Sequence, residues 1–469
     1  MSDRVVVVGG GVSGLAAAHR ILELDPAREV VVLDAAGEPG GALRTERTED
    51  GYVIELGPDS IITDKPWALA LAKRLGLEGE IVKTRPESRG AYVVAHGRLE
   101  RVPEGFSLMA PVNPAAFLAS PILSWRGKAR AALDLVLPRS SGEDDESLAS
   151  FVRRRFGEEL LERLAQPLVG GIYGADPELL SLRATMPRFV EVEQSSRSVA
   201  YGLWLEQRRG AAGGEAASGA RYGLFISFRD GCQRLVDALV ERLGDRVRTG
   251  ITAERIERGS GETAYWVHTQ QGELFDAEHV VLAVPAHRAA SMLASIDDGI
   301  AALLASIPYG SAVTATFAWR REEIPHPLDA YGFVVPTVER RDILAATWSS
   351  RKWPGRVPAG MELVRVFLGT ARDGSLLERD DDAIAGASRR ELRDLMGIRA
   401  EPQLTRITRF PRAMPHYHLG HLALVDRIEA RVADHPGLAL AGNAYRGVGI
   451  PDAIHRGEQA AESIVDAGA

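Results

Sequence analysis

VVVVGGGVSGL, from Val5 to Leu15, joins four β-branched residues, a glycine-rich turn and the opening of a helix. The valines show no polar alternation, as expected of a parallel strand buried on both faces. Ser13–Leu24 is rich in Ala and Leu at helical spacing, and Pro26 closes it. Val30–Leu33 is a second buried strand, so the first 33 residues read as β-α-β with a right-handed crossover. Gly9, Gly11 and Gly14 stand at GxGxxG spacing, with Gly10, Val12 and Ser13 between them. The first glycine allows the tight turn, the second a close approach to pyrophosphate, the third helix–strand packing. The helix N-terminus adds free N–H groups and the positive dipole end. Asp34, twenty residues after Gly14 and followed by Ala35, can accept from ribose hydroxyls. The combination predicts a bound dinucleotide.

Bulk properties narrow the setting. At 469 residues the chain exceeds one ordinary core, so two or three packed units are expected. A net charge of −8 without a Lys/Arg block argues against nucleic acid. Cys232 is the only cysteine, which excludes a disulfide framework, a Cys-rich zinc site and a CxxC pair. Val5–Ala18 is uncharged but holds four glycines and lacks an A-x-A pattern, so it reads as structure rather than a secretory leader. No apolar run reaches transmembrane length, so a soluble or at most membrane-peripheral protein is expected.

Two further segments turn the dinucleotide into FAD. In GEPGGALRT, residues 37–45, Gly40 and Gly41 permit another close backbone approach beside Ala42, and Arg44 can neutralise a phosphate. This resembles the GxxGGxxxT signature of the flavin amine oxidase and desaturase-like superfamily. By that resemblance Gly57, Pro58, Asp59 and Ser60 line the cofactor near its flavin end. At the far end of the chain, an apolar strand over Leu438–Ala441 runs into GNAYRGVGI, residues 442–450, and then a helix opening at Pro451. A helix N-terminus beside a flavin would stabilise the charge that builds on reduction. The expected fold is α/β: a Rossmann-like FAD domain (1–80, 221–295, 426–469) interleaved with an α+β substrate domain (81–102, 296–425) and a helical domain (103–207). Tyr92–Val102 has the pattern of a hairpin, and Arg209–Arg221 that of an exposed Gly/Ala loop.

The resemblance narrows on QPLVGGIYGADPELLSLRA (166–184), YGFVVP (331–336), VFLGT (366–370) and GNAYRGVGIPDAIHRGEQAA (442–461). These resemble the oxygen-dependent protoporphyrinogen and coproporphyrinogen oxidases of haem synthesis. The resemblance implies a six-electron oxidation of a porphyrinogen by non-covalent FAD, with O2 as acceptor and three H2O2 released. It implies Arg89 on a propionate, Leu168 and Gly171 on one face of the ring, and Val334, Thr347 and Phe367 on or near the other. Flavin contacts would extend to Val247, Gly442, Val448, Gly449 and Ile450. Thr347 stands where a larger apolar residue is common, and Ala42 where an aromatic can sit by the flavin. The implied setting is cytoplasmic, with the helical domain against the inner face of the cell membrane and the next haem-pathway enzyme, a ferrochelatase, as a partner. Protoporphyrinogen versus coproporphyrinogen, and monomer versus homodimer, stay open.

Several features compete with this reading. His416, His418 and His421 cluster as a metal site could, but lack an acidic or Cys ligand at clear spacing. Cys232 reads as a small buried hydrophobe, and Tyr173 as packing rather than a catalytic phenol. An amine oxidase or carotenoid-type desaturase would share every FAD motif; for an amine-oxidase lysine the C-terminal half offers only Lys352. A non-enzymatic relative of the GDP-dissociation-inhibitor kind would keep the fold without the flavin.

Overall fold

Val5, Val6, Val7 and Val8 are all buried, and the strand pleat divides them between two layers. Val5 and Val7 pack with Leu15, Val32, Leu235 and Ile454, whereas Val6 and Val8 pack with Leu33, Ile256, Tyr265 and Leu440. Burying each valine contributes about 1.5 kcal/mol or more, and a strand covered on both sides has no reason to alternate.

The computed structural model describes residues 4–140, 144–212, 225–260, 263–369 and 374–467. The elements that build the site begin with β1 (Arg4–Val8), α1 (Val12–Leu24) and β2 (Glu29–Leu33). A hairpin, β3 (Tyr92–Ala95) and β4 (Arg98–Arg101), precedes a run of helices that includes α2 (Gln166–Tyr173) and α3 (Val199–Ala212). Strands resume with β5 (Val247–Arg248), β6 (His279–Leu282), β7 (Tyr309–Arg320) and β8 (Gly332–Val334). Then come β9 (Ala345–Trp348), β10 (Met361–Gly369), α4 (Asp381–Met396) and β11 (Leu404–Pro415). The chain closes with α5 (His421–Ala433), β12 (Leu438–Leu440) and α6 (Ile450–Ala467).

Five parallel strands form one sheet in the order β5-β2-β1-β6-β12, drawing on the start, middle and end of the chain. Helices α1 and α6 lie together on one face, so close that a Cβ at Gly457 would strike the carbonyl oxygen of Ser13. A mixed sheet runs β11-β7-β10-β9-β8-β3-β4, antiparallel except where β8 pairs with β3. One of its faces carries Val94, Phe333, Ala346 and Val366, packed with Ile384, Leu392 and Met396 of α4. A third core joins the helices through Phe151, Leu160, Leu164, Val169 and Val192.

The stretch expected as a loop from Arg209 begins inside a helix instead, because α3 continues through two alanines to Ala212. The remainder of that stretch, up to 221, lies outside the described residues. Among the described residues no helix is long and apolar enough to cross a membrane.

Candidate active site

Two glycine-rich turns lock together at the C-terminal ends of β1 and β2. Gly40 N–H donates to Gly10 O at 2.8 Å, and Gly11 and Gly40 form a parallel bridge. A Cβ at Gly14 would collide with the carbonyl oxygen of Gly9, so only glycine lets α1 approach the turn this closely. Asp34 is buried with both oxygens engaged: Gly10 N–H donates to Oδ2 at 2.7 Å and Ala36 N–H to Oδ1 at 2.7 Å. Each oxygen keeps a further lone pair. The carboxylate thus shapes the turn as well as standing where a ribose acceptor is expected. Gly11 caps α1 without a side-chain bond, and Ser13 Oγ is buried without a partner among the described residues. Unsatisfied donors at a helix N-terminus fit a phosphate group. Ala35, Gly41, Ala42, Arg44 and Pro58 are exposed along this edge, and Val247 lies on β5 opposite Val32.

The Gly57–Ser60 segment is pinned by charges from the mixed-sheet half of the chain. Lys352 Nζ stands 3.0 and 3.1 Å from the Asp59 oxygens and 2.6 Å from Ser60 Oγ. Burial pushes the Asp59 carboxyl up, but Lys352, Ser60 and Arg365 outweigh it and hold it below the usual carboxylate range. Arg365, only 4% exposed, donates to Gly57 O at 2.6 Å and Leu56 O at 2.8 Å. Its guanidinium carbon sits 4.8 Å from the centre of the Phe367 ring. Glu55, buried beside it, accepts from Thr45 Oγ1 at 2.7 Å, Cys232 N–H at 2.9 Å and Arg356 at 3.2 Å.

Strand register brings three of the expected substrate residues onto one surface. Val334 pairs with Ala345 and Ala345 with Phe367, while Gly332 pairs with Thr347 and Thr347 with Arg365. Cross-strand partners and residues two apart share a face, so Val334, Thr347, Phe367 and Arg365 look the same way. This is the face opposite the α4 core, and Val334, Thr347 and Phe367 are partly exposed on it. Helix α2 stands across from it: a Cβ at Gly171 would lie 3.8 Å from Val334 Cγ1. Leu168, Val334 and Val448 all pack, partly buried, against the helical core. Six expected positions from α2, the mixed sheet and the C-terminal loop therefore converge. Arg89 is partly exposed at the approach to β3, where its carbonyl accepts from Arg101 at 3.1 Å.

Ile450 begins α6, and the loop before it is held by side chains that sequence reading did not assign. Tyr417 donates to Asn443 O at 2.5 Å and accepts from Gly447 N–H at 2.9 Å. Burial pushes this phenol well above its usual range, so it stays protonated and can donate. His421 Nε2 is 2.8 Å from Tyr445 O, and burial lowers its pKa, consistent with a neutral ring donating to that carbonyl. Tyr173 donates to Thr185 O at 2.9 Å, a structural bond within the helices. Cys232 is fully buried, with Sγ 3.4 Å from Ser227 Oγ. Arg365 escaped the sequence reading, which weighs Lys352 only as an amine-oxidase lysine and not as the partner of Asp59. The available signal was an arginine inside the apolar run LVRVFLG, where a charge must find partners.

The model of the family described as flavin containing amine oxidoreductase matches residues 12–465. The coproporphyrinogen III oxidase of Bacillus subtilis (strain 168) is 34% identical over 469 residues, covering 98% of each chain. That of Staphylococcus aureus (strain NCTC 8325 / PS 47) is 31% identical over 470 residues, covering 99% of each. A crystal structure from Exiguobacterium sp. 255-15, provisionally named a protoporphyrinogen oxidase, superposes with a TM-score of 0.87 at 29% identity over 99% of each chain. The chain therefore belongs to the flavin containing amine oxidoreductase family, among its coproporphyrinogen III and protoporphyrinogen oxidases, and a flavin is its cofactor.

Proposed function

We propose that this chain is an FAD-dependent, O2-dependent porphyrinogen oxidase of haem synthesis, acting on coproporphyrinogen III. The observation that carries this reading is the convergence of Gly171 on α2 with the Val334–Thr347–Phe367 face, where the ring would sit. This place is bounded on one side by the Arg365-tethered Gly57 segment and on another by Val448. Full-length relatives above 30% identity that carry coproporphyrinogen III oxidase in their names favour the four-propionate substrate.

Gly9–Gly14 with Ser13 would hold the pyrophosphate, Asp34, Ala35 and Val247 the adenosine end, and Gly40, Gly41, Ala42 and Arg44 the middle. Gly57, Pro58, Asp59, Ser60, Gly442 and Val448–Ile450 would hold the flavin. Cys232, the only cysteine, is fully buried, which supports non-covalent binding. When bound, the flavin supplies two-electron acceptance and reoxidation by O2, so three rounds convert a porphyrinogen and three O2 to a porphyrin and three H2O2. The protein's own part is positioning. Gly171 would present bare backbone to the ring, Leu168 and Val334 would exclude water, and Phe367, held against Arg365, would give a fixed aromatic surface. Arg89, partly exposed at the approach to β3, would pair with a propionate. The boundaries 1–80, 221–295 and 426–469 for the FAD unit, 81–102 and 296–425 for the substrate unit, and 103–207 for the helical unit accompany this proposal. Exposed Trp125, Leu133, Leu135 and Val136 support a peripheral membrane contact for the helices, and a ferrochelatase would take up the product.

The test is purified protein with FAD, O2 and each porphyrinogen, read by porphyrin fluorescence. Faster turnover of coproporphyrinogen III is expected. Absence of fluorescence from both substrates overturns the assignment, and a preference for protoporphyrinogen IX overturns the substrate choice.

A further inference from the structure

The loop from Gly442 to Gly449 follows an irregular path, with φ of +118° at Gly442 and +108° at Gly447. Such a segment has many conformations open to it unless something outside the loop restrains it. Three side chains do so. The Tyr417 phenol, 1% exposed, spans the loop by bonding Asn443 O at 2.5 Å and Gly447 N–H at 2.9 Å. The His421 ring stacks on Tyr417, centroids 3.9 Å apart at 11°, and its Nε2 reaches Tyr445 O at 2.8 Å. Asp452, in the first turn of α6, accepts Gly449 N–H at 3.2 Å and Lys65 at 2.6 Å. The Tyr417 backbone is itself anchored, since Ser181 N–H donates to its carbonyl at 2.8 Å. The N–H groups of Gly442 and Val448 have no acceptor among the described residues.

We propose that Tyr417 and His421 are positioning residues of the redox site. They fix the loop so that its free N–H groups and the N-terminus of α6 meet the flavin, and so set its affinity and reduction potential. The proposal rests on the reading that Gly442–Ile450 touches the flavin. A loop fixed in advance presents dipoles without reorganisation when charge builds on reduction. Phe at 417 keeps the ring and its stack but removes both loop bonds; Phe at 421 keeps the stack and removes one.

The experiment compares Tyr417→Phe, His421→Phe, Gly442→Val and Tyr265→Phe with the wild-type holoenzyme. The readouts are FAD dissociation constant, visible flavin spectrum, midpoint potential and melting temperature. Tyr265→Phe removes a comparable bond, to Pro436 O at 2.7 Å, away from the loop, and reports the effect of a structural loss alone. Tyr417→Phe is expected to bind FAD roughly tenfold more weakly. Its potential should fall by about 30 mV, equivalent to a further tenfold loss of affinity for reduced over oxidised flavin in a two-electron couple. His421→Phe should move both readouts the same way by less, and Tyr265→Phe should move neither. If Gly442→Val perturbs the flavin while Tyr417→Phe and His421→Phe do not, the positioning role is overturned. If Gly442→Val also leaves the flavin unchanged, the contact between loop and flavin is overturned, and the proposal with it.

Discussion

Gly171 of α2 lies close against Val334 of β8, and a Cβ added at Gly171 would stand 3.8 Å from Val334 Cγ1. That is ordinary contact, so one carbon fits and each further carbon must enter the space between helix and sheet. Gly171→Ala should be close to wild type. Gly171→Leu should fold and retain its flavin while KM for coproporphyrinogen III rises about tenfold, equivalent to about 1.4 kcal/mol. Steady-state kinetics with both variants check this, and matching KM values for Ala and Leu would remove Gly171 from the substrate site.

Arg365 links the mixed sheet to the flavin-end segment through the carbonyls of Leu56 and Gly57. Arg365→Met leaves one buried and one part-buried acceptor unsatisfied, at up to about 1–3 kcal/mol each. It also frees the Phe367 ring. Denaturant unfolding should show a loss on the order of 2–5 kcal/mol. Arg365→Lys should recover only part, because an ammonium cannot reproduce the two-pronged donation of a guanidinium. Full recovery with lysine would show that charge, not fork geometry, matters here.

The strand-turn-helix at Val5–Leu15 was legible because period, glycine spacing and the terminal acid all point to one structure. The same holds for the C-terminal strand, glycine loop and helix. Which residues of the mixed sheet look toward α2 was not legible from spacing, because it depends on register. Val334, Thr347 and Phe367 share a face only because β8, β9 and β10 pair as they do. The Lys352–Asp59 and Arg365–Gly57 contacts join residues about 300 positions apart, as their separations of 293 and 308 show, and no local pattern encodes such a pairing. Tyr417 and His421 lay inside a histidine-rich stretch whose visible feature, metal-like spacing, drew attention from the phenol between them.

Lys352 and Asp59 are both largely buried, with 13% and 15% side-chain exposure, and each neutralises the other. The folded pKa of Asp59 lies below its unfolded value of about 3.9, so the unfolded chain binds the proton first. The pair's stabilisation is therefore present above about pH 4 and declines as pH falls toward the folded pKa. Lys352→Met should destabilise the protein by about 3 kcal/mol at neutral pH, since it strands a buried carboxylate. Lys352→Met with Asp59→Asn should restore much of that loss. Urea titrations between pH 3 and 7 would show it, and an unaltered acid limb in Lys352→Met would refute the account.

His416 responds in the opposite part of the scale. Burial first, and His418 second, lower its pKa from 6.5 to about 4. The ring sits against Gly310, where a Cβ would run into its Nε2, and its centroid is 5.9 Å from that of His418. In the unfolded chain His416 takes up its proton near pH 6.5; in the folded chain it resists until about pH 4. Between these values the unfolded state holds more protons, so stability falls as pH falls through that window. His416→Phe keeps an aromatic ring in the space without a titrating group, and should flatten the pH dependence between 4 and 6.5. His418, which helps to lower His416, loses that interaction in the variant, so the difference between the two curves reports His416 together with its coupling to His418. Parallel curves for wild type and His416→Phe would mean that the imidazole takes up its proton at the same pH in the fold as in the unfolded chain, and would refute the account.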